Sequence, residues 1–216
     1  LWWPVKFFFV SLILLVTILI GIKSVDYYTP DFSSGYLSDK KAAFQGIFAI
    51  GLYAHIASTP LLLLLGAALL VFKLEFYYPT WHRMAGWLYA ILVVVLAAPG
   101  GCILSFYSYG GISSGIAFFL ASMVWVLITV NAVQWARRKN FVEHRKWMLR
   151  SFALATSAIG LRIILFIFHE YIPWQGTQAY ICGVWLSFLL PMGLMEFYLK
   201  KFPRRKYSSS TSIYKA

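Results

Sequence analysis

The 216-residue chain is 61% hydrophobic and 12% charged, with a formal charge of +12 and a mean hydropathy of +0.73. Soluble domains carry about 25% charged residues, so this composition excludes a disordered chain and a soluble enzyme. With Cys102 and Cys182 as the sole cysteines it also excludes a disulfide scaffold. The basic residues stand at the ends of apolar runs and not along one polar face, which excludes a nucleic-acid binder and leaves an integral membrane protein.

A hydrocarbon core of about 30 Å takes roughly 20 apolar helical residues to cross. Six stretches qualify in chain order: 4–22, 44–72, 84–107, 112–136, 147–171 and 179–199. None shows the strict alternation of a barrel strand. The reading is therefore all-α, a polytopic membrane helical bundle of six transmembrane helices filling residues 1–199, with a basic cytoplasmic tail at 200–216. The first span lacks the small-residue cleavage pattern of a signal peptide and is long enough to stay as an anchor. Of the 19 Lys and Arg residues, 15 fall on the side of the termini, three in the outer loop and one, Arg162, inside a span. That bias predicts both termini in the cytoplasm.

An ionisable side chain inside a bilayer costs about 2.5–3.5 kcal/mol on insertion scales and points to function by default. His55 near the middle of span two and Arg162 near the middle of span five fall at similar depth, slightly to the outer side. Arg162 cannot shed its proton and has no carboxylate at its level, so it calls for carbonyls, water or a bound acceptor. Three predicted helix breaks cluster near them: Pro60, Pro99-Gly100-Gly101 and Pro191. The convergence predicts a ligand-binding pocket of His55, Arg162, Gly100 and Gly101 that opens outward, roofed by the loop Tyr109 to Gly115.

A second group gathers on the inner face. His82 and Arg83 begin span three, while His144, Arg145, Met148 and Arg150 begin span five. Two histidines at one depth on different helices suit bis-histidine haem ligation; headgroup anchoring is the plainer alternative. Ser151, Arg162 and His169 follow His144 at helical spacing and extend a polar stripe across span five. Glu196 is placed to pair with Arg83, Arg145 or Arg150. Nucleotide-binding, nucleophile-elbow, zinc-protease and c-type haem motifs are absent, and no metal-ligand set emerges. Cys102 and Cys182 both map near the outer ends of their spans, either bonded or free.

These residues support a membrane protein with an intramembrane polar pocket for a quinone- or haem-like ligand used in electron transfer. The alternative is a non-enzymatic accessory or scaffold subunit of a larger membrane complex, with other subunits and the lipid bilayer as partners. A small transporter is a third reading, weakened by the lack of an internal repeat. From span two onward the chain also resembles a bacterial membrane protein group, domain-of-unknown-function family 2306. The likeness is carried by His55 with Gly66, by HRMAGWLYA from His82, by Trp125, by EHRKWMLRSFALATSAIGLR from Glu143 to Arg162, and by AYICGVWLSFLLPMGLMEFYL from Ala179. The resemblance implies a multi-pass protein of the bacterial inner membrane; His169 lies outside its pattern.

Overall fold

The computed structural model describes residues 2–33, 35–38, 40–72 and 74–202. Most of the expected tail, 203–216, lies outside the described residues. In a bilayer a spanning backbone must satisfy its own polar groups, and these apolar stretches do so as helices. They are α1 (Trp2–Val25), α2 (Ile47–Val71), α3 (Leu74–Tyr77), α4 (Pro79–Ile91), α5 (Ala98–Ser105), α6 (Gly111–Arg137), α7 (Phe141–Ala155), α8 (Ser157–Glu170) and α9 (Thr177–Lys201). A π-helical turn, Leu92–Ala97, joins α4 to α5 so that Pro79–Ser105 forms one span. Five helices are long and apolar enough to cross a membrane singly, and α7 with α8, bent by 41°, makes a sixth when the pair is counted as one span. The chain is thus an all-helical membrane bundle, as its hydropathy pattern predicts. One end of the bundle carries the 26–46 loop (the loop face) and the other carries α3 and the α6–α7 turn (the basic face).

The three expected breaks are not breaks. Pro60 and Pro191 sit inside α2 and α9, which run on through them, and Pro99 stands in the first turn of α5. The π turn before Pro99 shifts the ladder, with the Ala98 N–H reaching the Val93 carbonyl, so the missing proline N–H is absorbed in a widened turn. The sharp bend comes instead at Thr156, whose hydroxyl donates to the Ala153 carbonyl at 2.7 Å. Threonine back-bonding of this kind bends helices in apolar surroundings, and Ser157 and Gly160 beside it offer little resistance.

That bend divides the molecule into two unlike halves. On the basic side α7 packs on α6, α9 and α2 around a close core. Tyr89, Val93, Leu62 and Thr129 are fully buried there, with Phe152 and Trp125 beside them. On the loop side α8 leans away. It packs on α9 and touches α1, but makes no comparable contact with α2, α5 or α6 among the described residues. Contacts there run α1 to α2 to α5 to α6 to α9 to α8 and back to α1, a closed ring of neighbouring helices. The loop over α2 is itself packed with rings: Phe48 lies edge-on to Tyr107 at 4.8 Å and Phe32 to Phe44 at 5.1 Å.

Candidate functional site

Small residues set how closely the helices of the ring approach. A Cβ on Gly100 would stand 2.7 Å from the Gly51 carbonyl and 3.0 Å from the His55 nitrogen. The glycines expected to break span three thus let α5 press against the backbone of α2, as membrane helices do where small residues meet. Gly101, one position on, faces the Ser122 hydroxyl and the His55 ring. The close approach places the Ala97 carbonyl 2.8 Å from Nδ1 of His55. A carbonyl can only accept, so Nδ1 carries the hydrogen, and Nε2 keeps its lone pair when the ring is neutral.

Arg162 stands across the ring on α8. Its Nη1 donates to the Ala158 carbonyl one turn back at 2.8 Å, and the side chain is otherwise exposed. Among the described residues no carboxylate lies within ion-pair distance of it. The guanidinium lies within electrostatic range of His55 and of Tyr27 in the loop-face turn. His55 is eight residues into α2 and Arg162 eight residues short of the end of α8, each about 12 Å below the loop-side terminus at 1.5 Å per residue. The two ionisable groups therefore share one level of the ring. Sequence reasoning passed over Tyr27, whose position beside Arg162 depends on how the loop folds back.

The second group assembles on the basic face. Arg150 holds Glu196 through two bonds, Nε to Oε1 at 2.5 Å and Nη2 to Oε2 at 3.1 Å, and lies over the Trp147 ring at 4.8 Å. This forked pair ties α7 to α9 and selects Arg150 from the three candidates for Glu196. Arg145 stands 3.7 Å from Glu75 of α3. His144 uses Nδ1 on the Ala132 carbonyl of α6 at 2.8 Å. His82 is within electrostatic range of both Glu75 and His144, and its Nδ1 and the Glu75 Oε2 are buried without a hydrogen-bond partner. Met148 packs at the edge of the core and Arg83 is exposed. Glu75 is the member that sequence reasoning missed; its place seven residues before His82, across a turn capped by Pro79, was the available signal.

The expected stripe on span five does not form one line. Ser151 is fully buried at the centre of a hydroxyl network. It receives the Trp125 indole N–H at 3.1 Å and lies 3.1 Å from the Tyr89 hydroxyl and 2.8 Å from the Thr129 hydroxyl. Thr129 donates its own hydrogen to the Trp125 carbonyl at 2.8 Å, so Ser151 must donate to Thr129 and Tyr89 to Ser151. His169 instead reaches the loop surface, where it pairs with Glu170 at 2.8 Å. Cys102 and Cys182 are both free.

Apolar spans, a satisfied polar knot in one half and lone ionisable groups in the other define a multi-pass helical membrane protein in contact with the lipid bilayer. The model of the predicted membrane protein family DUF2306 matches residues 52–199, and the chain belongs to that family. No curated protein and no solved structure matches the chain.

Proposed function

We propose that the protein binds a lipid-soluble molecule of the quinone type in the loop-side ring, between His55 and Arg162, and serves electron transfer in a bacterial inner membrane. One observation carries the reading: Arg162 sits in the apolar half of α8 with a single main-chain partner, although a guanidinium has five N–H groups to offer. A quinone oxygen is an acceptor for the remaining donors. The lone pair on His55 Nε2 suits the hydroxyl of the reduced form, so the pair matches both oxidation states of such a ligand. Gly100 and Gly101 contribute by holding the His55 ring in place. The basic-face residues His82, Arg83, His144, Arg145, Met148 and Arg150 serve that face as a clamp and as headgroup contacts in this reading.

The test is equilibrium binding of menadione to the purified chain in lipid nanodiscs. Arg162→Leu is expected to remove binding while leaving insertion and helicity unchanged; wild-type affinity in that variant overturns the proposal. A visible absorbance scan separates the haem reading. A Soret band lost in His82→Ala or His144→Ala would move the ligand to the basic face. Co-purification of membrane subunits with an Arg162→Leu protein that behaves as wild type would favour the accessory-subunit reading.

The basic face is the cytoplasmic one in this proposal, by the charge bias of its loops. A protease-sensitive tag placed after Ala216 is expected to be cut only from the cytoplasmic side of membrane vesicles. Cleavage from the opposite side would reverse the orientation.

A further inference from the structure

A wide-open depression of about 290 Å³ lies on the loop face where the α5–α6 turn, the end of α8 and the start of α9 meet. Its walls are mainly aromatic: Tyr109, Phe168, His169, Trp174 and Tyr180, with the Gln175 amide among them. Two ring pairs build those walls from different elements. Tyr109 meets Tyr180 edge-on at 5.0 Å, and Phe168 meets Trp174 at 5.1 Å with the planes tilted by 40°. Small-molecule pockets run from about 300 to 1,000 Å³ and are apolar with a few polar groups; this depression lies just under that range and shares the mainly apolar lining, enough for part of a ring.

Its position relates it to Arg162. Leu165 and His169 line the cavity and stand three and seven residues beyond Arg162, on the same face of α8. The cavity floor is therefore about 4.5 Å further along the helix axis than Arg162, at 1.5 Å per residue, and opens toward the loop face. Aromatic walls favour two ligand classes. The Arg162 charge below opposes a quaternary ammonium while the Glu170 carboxylate, 2.8 Å from the lining His169, attracts one, so the choice of a neutral ring follows from the quinone reading of the His55–Arg162 level. A neutral planar ring with carbonyl oxygens stacks on the walls and also suits the guanidinium. Of the polar groups in the lining, the Gln175 amide can donate to such an oxygen, while the His169 Nδ1 hydrogen is taken by Glu170 and leaves Nε2 as an acceptor for the hydroxyl of a reduced ring.

We propose that this aromatic depression receives the edge of the ligand's planar ring that projects beyond the His55–Arg162 level, with Trp174 and Tyr180 selecting ring-bearing molecules over ringless amphiphiles. The proposal rests on the quinone reading of the His55–Arg162 level and extends it to residues on α9 and the α8–α9 turn. The full chain in nanodiscs is titrated calorimetrically with menadione, comparing wild type, Arg162→Leu, Trp174→Ala, Trp174→Phe and Tyr180→Ala. Trp174→Ala and Tyr180→Ala are each expected to weaken binding about tenfold, the scale of one lost ring partner, and Trp174→Phe to restore most of it. Wild-type affinity in both alanine variants, with binding lost in Arg162→Leu, overturns the ring seat and leaves the Arg162 site standing. Equal weakening in Trp174→Phe and Trp174→Ala also overturns it, because the remaining ring would then count for nothing. Absence of menadione binding in wild type, or wild-type affinity in Arg162→Leu, removes the underlying reading instead.

Discussion

Ser151→Ala is expected to be among the most destabilising single-atom changes in this protein. The hydroxyl accepts from the Trp125 indole N–H and is the shared partner of Tyr89 and Thr129. Its removal strands two buried donors, and each orphaned donor costs about 1–3 kcal/mol in soluble proteins. Side-chain hydrogen bonds in membrane proteins average nearer 0.6 kcal/mol with a maximum of about 1.7. Two stranded donors therefore lead us to expect about 1–3 kcal/mol in total, seen as a lower midpoint in thermal unfolding of the detergent-solubilised chain. Tyr89→Phe removes a donor and leaves Ser151 with its other two partners, so the loss there should be smaller. A Ser151→Ala protein as stable as wild type would show that water or repacking replaces the network.

Gly100→Ala is expected to act by a different route and to reach the candidate site. The added methyl would meet the Gly51 carbonyl at 2.7 Å and the His55 nitrogen at 3.0 Å. Both are main-chain atoms of a helix and cannot rotate aside, so α5 must move off α2. Overpacking of this kind costs about 1–3 kcal/mol. The same displacement lengthens the 2.8 Å bond from His55 Nδ1 to Ala97 and frees the imidazole to turn. Lower stability and weaker menadione binding should appear together. Gly86→Ala is the matched control: nothing lies within 4 Å of its Cβ position, inside α4. Replacing a helical glycine there should stabilise the chain, by about 0.5–1 kcal/mol. A Gly100→Ala protein that matches wild type in both stability and binding would remove the close-packing account of that glycine.

The spans were legible because hydropathy over about 20 residues is a local property, and the bilayer forces each such run to be helical. Arg162 and His55 were legible for a related reason, since a charge in an apolar run stands out wherever the run packs. The proline breaks misled because a helix can absorb a missing N–H. Pro99 does so through the preceding π turn, and Pro60 and Pro191 do so within continuous helices. Thr156 carried no comparable signal, since threonine is common in spans and bends a helix only when its hydroxyl turns back on the main chain. Tyr89 and Thr129 were passed over because an isolated hydroxyl in an apolar helix is unremarkable until its partner on another helix is known.

By itself, then, the amino-acid sequence determined the helical class, the apolar spans, the uneven distribution of basic residues and the presence of lone ionisable groups within those spans. These follow from transfer energies that each segment has regardless of its neighbours. Only the tertiary structure decided that Ser151 is the centre of a closed network, that Arg150 and not Arg83 or Arg145 holds Glu196, and that Gly100 serves close packing. It also decided that α8 leans away from α2, α5 and α6 and that Arg162 comes within electrostatic range of His55. Those outcomes depend on distances between segments far apart in the chain, and a few ångströms of helix approach separate a satisfied polar group from an unsatisfied one.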